Sequence, residues 1–237
     1  MNDEVKKLIS GAKNICLITN EEPEGLAALL ALFYTLKDLG KHVNIIPSTF
    51  PEKMHFLIPS LDFIGQPQNF VVSIPRTTAD ISQIYYEKNE DHLKIHLTVG
   101  NGHLTKENIS FYAENVKPDL VITLGVQDFK KQLAVRLDAF GFLLDTPILN
   151  IDNKVENIKF GIVNFIGSKS LCEIVLDILQ YIDENLITKN SANCILAGIV
   201  MHYQHFKNPE TNSQTFQTIS ELIKKGADYH NIIKSLS

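Results

Sequence analysis

Apolar residues along this chain fall into short runs of strand length, separated by longer stretches of helical period. Val5 to Ala12 reads as a short amphipathic helix and Ile15 to Thr19 as a strand. A polar turn, NEEPEG (Asn20 to Gly25), comes next, followed by LAALLALFYTLKDLG, a helix closed by Gly40. Val43 to Pro47 supplies a second strand and completes a βαβ unit of about 30 residues, which implies a parallel sheet with a right-handed crossover. Pro51 to Ser60 predicts a short helix or helical turn.

The pattern then changes. Asn69 to Pro75, Ile81 to Glu87 and Leu93 to Val99 alternate and are rich in β-branched and aromatic residues, with the turn KNEDH between the last two. They predict an antiparallel β meander, inserted at about 68–100 in a single domain covering 1–237. The α/β pattern resumes with the strand DLVITLG (Asp119 to Gly125), a helix near Lys130 to Phe140, and the strand PILNID (Pro147 to Asp152). After FGIVNF come helices over Ser170 to Glu184, Ala192 to Tyr203 and Thr215 to Lys225, with GADYHNIIKSLS behind the last. The expected class is α/β: a Rossmann-like parallel sheet flanked by helices. Ligands of such sheets sit where loops leave the carboxyl ends of the strands. Here those loops are Asn20 to Gly25, Gly125 to Asp128 and Asp152 to Asn157.

Composition narrows the function. The 237 residues are 44% hydrophobic and 21% charged, the balance of a globular protein, with a net charge of −5. No basic stripe exists for general phosphate-backbone binding, so nucleic acid is not an expected partner. Cys16, Cys172 and Cys194 lie far apart in apolar surroundings and read as buried thiols rather than disulfides or a zinc site. The first residues, MNDEVKKLISGAKN, lack the apolar core of a signal peptide, and no run approaches the roughly 18 apolar residues of a membrane span. A cytoplasmic location with no membrane partner is expected.

Glycine-rich phosphate loops and a serine nucleophile elbow are absent from the sequence. His202 and His205, three apart, would share one helical face, which reads as structural without a third ligand. Asp91, His92 and His103 fall in turns and read as solvent-exposed. The acidic residues of NEEPEG precede a helix start, where the macrodipole favours them and capping accounts for them.

Four stretches carry a wider resemblance. LITNEEPEGLAALLALFYTLKDLGKHV and PDLVITLG are the first two. The third is NIDNKVENIKFGIVNFIGSKSLCEIVLDIL, with an Asn five residues after its Asp, a Phe-Gly and a Glu in the next helix. The fourth, CILAGIVMHYQHFKNPETNSQTFQTISELIKKGADYHNII, has a Gly-Ile, a Phe eight residues after that Gly, and a Gly-Ala-Asp. Together they resemble the four motifs of the DHH phosphoesterase superfamily, which includes RecJ-type nucleases, oligoribonuclease/pAp phosphatases and exopolyphosphatases. The resemblance runs from Asn14 to about Ile233, apart from the insertion.

That family implies two divalent ions, usually manganese, that clamp an attacking water and the phosphoryl oxygens. Carried over residue by residue, the ligand positions are mostly lost. The first-motif His falls on Asn20 and its two Asp residues on Glu24 and Leu26. The bridging Asp of the second motif falls on Gly125. In the third only Asp152 survives, followed by Asn153 and Lys154 where the family has histidines. The fourth-motif Asp falls on His202. Lys154 beside the metal position would repel a divalent ion by several kcal/mol at short range. It could instead take the vacated position, pairing with Glu24 or Asp152.

The resemblance therefore implies a degenerate, catalytically inactive domain, with no cofactor, acting as a binding or assembly module. A homo-oligomer or a pairing with an active paralogue is implied by the family's habits. The competing expectation is a phosphoesterase acting on a small nucleotide, oligonucleotide or polyphosphate, with Mn or Mg held by Glu24, Asp128, Asp152 and His202. A third is a nucleotide sensor that binds without cleaving. Many family members carry a second domain with a glycine-rich GGGH-like segment. No such segment occurs before Ser237, so a substrate clamp is expected to be missing.

Overall fold

The computed structural model describes residues 2–46, 50–58, 68–115, 117–132 and 145–236. The chain divides into two compact units, Met1–Pro67 with Lys117–Ser237, and Gln68–Val116.

The first unit holds a five-stranded parallel sheet of order β2-β1-β7-β8-β9. Its strands are β1 (Asn14–Thr19), β2 (His42–Ile46), β7 (Leu120–Leu124), β8 (Ile148–Asp152) and β9 (Val163–Ile166). The α/β class expected from the pattern is the observed one. Strand β9 escaped prediction because four residues, none of them fully buried, leave too short a pattern. In β1, Ile15 and Leu17 enter one core cluster while Cys16 and Ile18 enter another. Both sheet faces are thus covered, which is why these strands read as continuous apolar runs rather than alternating ones.

The larger core lies against α2 (Pro23–Asp38), α3 (Leu171–Ile182) and α4 (Lys189–His202), with residues of α1 (Asn2–Gly11), α5 (Ser213–Lys224) and α6 (Tyr229–Leu236) at its margin. Every residue of α2 from Gly25 to Leu36 is buried. A helix apolar on all sides belongs in the interior. Gly198 of α4 lets that helix approach closely. A Cβ there would meet Cys172 Sγ at 2.1 Å and Ala27 Cβ at 3.2 Å. The smaller core, on the opposite face, gathers Cys16, Ile18, Val121, Val126 and Phe129, with Phe160 packed against it. Residues 129–132 are helical, and the rest of the helix expected to Phe140 lies outside the described residues. A 3-10 helix, Glu52–Leu57, occupies the stretch where a helical turn was expected. All three cysteines are buried free thiols, and burial pushes Cys16 up to about 12.

The second unit is not a meander. It consists of two separate antiparallel pairs: β3 (Gln68–Ser73) with β6 (Ser110–Asn115), and β4 (Ala79–Lys88) with β5 (Leu93–Gly102). The KNEDH turn does join β4 to β5. The first strand, however, takes its partner from beyond residue 100, so the insertion extends to Val116. Adjacency in sequence favoured β4 for that role, and the tertiary arrangement assigned it to β6.

Candidate functional site

The three loops singled out from the sequence meet at the carboxyl end of the parallel sheet. They line a cleft of about 170 Å³ with Asn20, Glu22, Glu24, Gly25, Gly125, Gln127, Gln132, Asp152, Asn153, Lys154 and Leu171. Its walls are predominantly polar, as this set of residues dictates.

Asn20 ends β1 and organises the turn into α2. Its Oδ1 accepts from Glu22 N at 3.1 Å and from Thr19 Oγ1 at 3.2 Å, an Asx-turn that shapes the helix start. Gly125 faces it with φ +67, and a Cβ there would lie 2.9 Å from Asn20 Nδ2. The Asn20–Gly125 contact thus fills the space a carboxylate at 125 would need. Leu26 is 1% exposed and has joined the core.

Glu24 does not cap its own helix. The N-cap of α2 is Glu22, whose side chain makes no capping bond. Glu24 Oε1 instead accepts from Leu171 N at the start of α3, and Oε2 lies 2.7 Å from His202 Nδ1 at the end of α4. One carboxylate thereby ties three helices together. The imidazole is held above its ordinary value of 6.5, first by the hydrogen bond to Glu24; burial opposes the shift, and the Lys154 charge lowers it slightly. Capping read from the sequence is thus corrected: Glu24 satisfies the amino end of a different helix.

Asp152 is fully buried. Its Oδ1 accepts from Asn153 N at 2.7 Å and its Oδ2 from Asn157 Nδ2 at 2.8 Å. Asn157 also donates to Val126 O at 2.8 Å, while its own oxygen accepts from Asn150 Nδ2 at 2.7 Å and Lys159 N at 2.8 Å. Asn150 Oδ1 in turn accepts from Thr123 Oγ1 at 3.1 Å, and Asn150 Nδ2 also donates to Asn164 Oδ1 at 3.1 Å. A connected amide network therefore replaces the charge that a buried carboxylate would otherwise demand. Asn157 belonged to the resemblance, but its partner Asn150, and Asn164 and Thr123 that bond Asn150 in turn, carried no sequence signal as site residues.

Lys154 is exposed at the cleft rim and pairs with neither Glu24 nor Asp152, whose oxygens are bonded to other partners. Asp128 lies away from Glu24 and His202 in role. Its Oδ1 accepts from Lys131 N at 3.1 Å, capping the helix at 129–132, and its Oδ2 lies 3.7 Å from Lys131 Nζ. Gln132 Oε1 accepts from Gln127 N at 2.7 Å and Asp128 N at 3.0 Å, a loop clamp the sequence did not announce. Nor do His202 and His205 share a helical face. Helix α4 stops at His202, and Gln204, His205 and Phe206 all adopt positive φ, of 49, 55 and 65. His205 N reaches Val200 O at 2.9 Å and Gln204 N reaches Met201 O at 3.2 Å, a Schellman closure made without glycine.

These donors do not fit a metal pair. Among the described residues no three His, Cys, Asp or Glu side chains gather as metal ligands would. Every oxygen of Glu24 and Asp152 is engaged by a protein partner, and Gly125 offers no side chain to the cleft.

Fold and cleft define a class, the parallel α/β domain with a polar site at its strand ends. An exopolyphosphatase-related protein from Bacteroides fragilis has this fold, with a TM-score of 0.70 at 16% sequence identity. The match covers 99% of this chain and 59% of that one, so the chain spans less than two thirds of that protein's length. No family model matches the sequence, and no curated protein matches it either. Likeness at this identity establishes the fold. No helix among the described residues is long and apolar enough to cross a membrane.

Proposed function

We propose that this chain is a diverged DHH-type phosphoesterase-like domain that does not hydrolyse phosphoesters and serves in binding or assembly. The observation that carries the proposal is that both oxygens of Glu24 and of Asp152, the two acids left at the motif positions, are engaged by protein partners. A metal ion would compete with Leu171 N, His202, Asn153 N and Asn157 for these oxygens. Where Leu171 N or Asn157, both buried, lost its acceptor, the cost would be about 1–3 kcal/mol apiece. The exposed ammonium of Lys154 at the rim adds repulsion toward a divalent cation.

The cleft also favours assembly over nucleotide sensing. At about 170 Å³ it is smaller than the roughly 300 Å³ at which pockets for drug-sized ligands begin. Its enclosed part is of the size of a phosphate group rather than of a whole nucleotide.

A manganese titration by calorimetry, run beside assays on pAp, dinucleotides and polyphosphate, tests the proposal. We expect no stoichiometric binding heat and no turnover above buffer. Manganese-dependent turnover that Asp152→Ala abolishes would overturn it and install the rebuilt-site phosphoesterase instead.

A further inference from the structure

One peptide bond of the β4–β5 hairpin joins a labile pair of residues to a geometry that favours their reaction. Asn101-Gly102 is the sole Asn-Gly pair in the chain. Gly102 N donates to Asn101 Oδ1 at 2.9 Å, so the side-chain amide sits beside the nitrogen of the next residue. His103 N, one residue on, reaches across the hairpin to Thr78 O at 3.3 Å. The register pairs Asp80 with Asn101 and Ile81 with Val99, which leaves Gly100 without an opposite residue. A bulge of this kind disrupts the ladder locally and frees the backbone next to it from strict pairing.

Glycine at 102 is demanded by the fold. Its φ is +90, and a Cβ there would lie 2.3 Å from Thr78 O and 2.9 Å from Ala79 Cα. The residue that lets the strand close is thus the one that leaves its own amide nitrogen without a side chain to shield it. Asn190 and Asn212, each followed by serine, are better protected. Asn190 stands inside α4, where the helix fixes its backbone. Asn212 is the N-cap of α5, and its Oδ1 is held by Gln214 N at 2.9 Å and Thr215 N at 3.2 Å.

We propose that Asn101 is a site of spontaneous succinimide formation, and that its conversion to an acid sets a charge against the pairing of the hairpin. Gly102 N, after giving its proton to hydroxide, attacks Asn101 Cγ. The new N–Cγ bond closes a five-membered ring, the Cγ–Nδ2 bond breaks, and the amide takes a proton from water and leaves as ammonia. A second water then opens the ring at either carbonyl. The product is aspartate, or the isoaspartate whose chain runs through the side-chain carbonyl. Either one carries a carboxylate directly across from Asp80, and like charges facing each other on neighbouring strands oppose pairing. The isomer also lengthens the backbone by one methylene, which the Ala79–Gly102 pairing beyond it has to absorb. Every group in the sequence of steps belongs to the hairpin itself, and water is the one co-reactant.

Mass spectrometry of peptides from the full chain, aged in mildly alkaline or mildly acidic buffer, tests the chemistry. The peptide holding Asn101 is expected to gain the mass of an amide-to-acid exchange, at a rate that rises with hydroxide. Peptides holding Asn190 and Asn212 should stay unchanged over the same period. Asn101→Gln, which cannot close the five-membered ring, should abolish the gain. Hydrogen exchange at neutral pH reads the consequence. Amides of 79–102 should exchange up to about fivefold faster in the aged protein than in the fresh one, the scale of one like-charge pair across strands. Asn101→Asp should reproduce the rise without ageing and lose it once the pH falls below the carboxylate range. An intact Asn101 after alkaline ageing would overturn the proposal, as would conversion of Asn190 or Asn212 ahead of it. Conversion that leaves exchange over 79–102 unaltered would overturn the charge effect.

Discussion

Glu24 stands in the first turn of α2, yet both of its oxygens serve other helices, Leu171 of α3 and His202 of α4. The imidazole's raised proton affinity has a definite consequence for stability. A folded-state value above the unfolded one means the contribution is fully present below about pH 6.5 and disappears as pH rises through the raised value. The melting temperature should therefore fall as pH is taken from 6 toward 9, over and above other titrations, and Glu24→Gln should flatten that slope. Urea denaturation at pH 6 should show the variant less stable by about 1–3 kcal/mol, the scale for a hydrogen bond to a charged partner. The Glu24 position was legible in the sequence as a residue of the first loop, and Asp152 as the survivor of a motif. Leu171 as a partner of Glu24, and Asn164 and Thr123 as members of the network, were not, since they come close only through the helix crossing and the strand pairings.

Helices and strands of this chain were readable in proportion to how far their pattern is local. Helix α2 shows itself through an unbroken apolar stretch and a closing Gly40. Strand β6 holds only six residues, and its pairing with β3 spans the whole β4–β5 hairpin, so no local period betrays it. Closeness of packing is an element-scale property as well. Gly198 sits where α4 passes within van der Waals reach of Cys172 and Ala27, leaving no room for a side chain. Gly198→Val should cost about 3 kcal/mol or more through overpacking, read as a lowered denaturant midpoint with an unchanged slope. The same crossing brings His202 to Glu24, so the variant should also diminish the pH dependence described above.

At the scale of the whole molecule, neither core cluster contains, among the described residues, one from 68–116. Replacing 68–116 by a short Gly-Ser linker should leave cooperative thermal unfolding and a helical far-UV spectrum, whereas loss of cooperativity would show that the first unit depends on the second. The sequence by itself determined the α/β class, most elements of the parallel domain and the non-ligand character of Leu26 and Gly125 in the strand-end loops. Those are properties of local period and side-chain chemistry, which survive in one dimension. The tertiary structure decided the rest: Glu24 capping a helix 147 positions away, the amide network around Asp152, and the partner of β3. Each of these depends on which distant groups share a buried volume, and that is settled only when the chain has closed around its core.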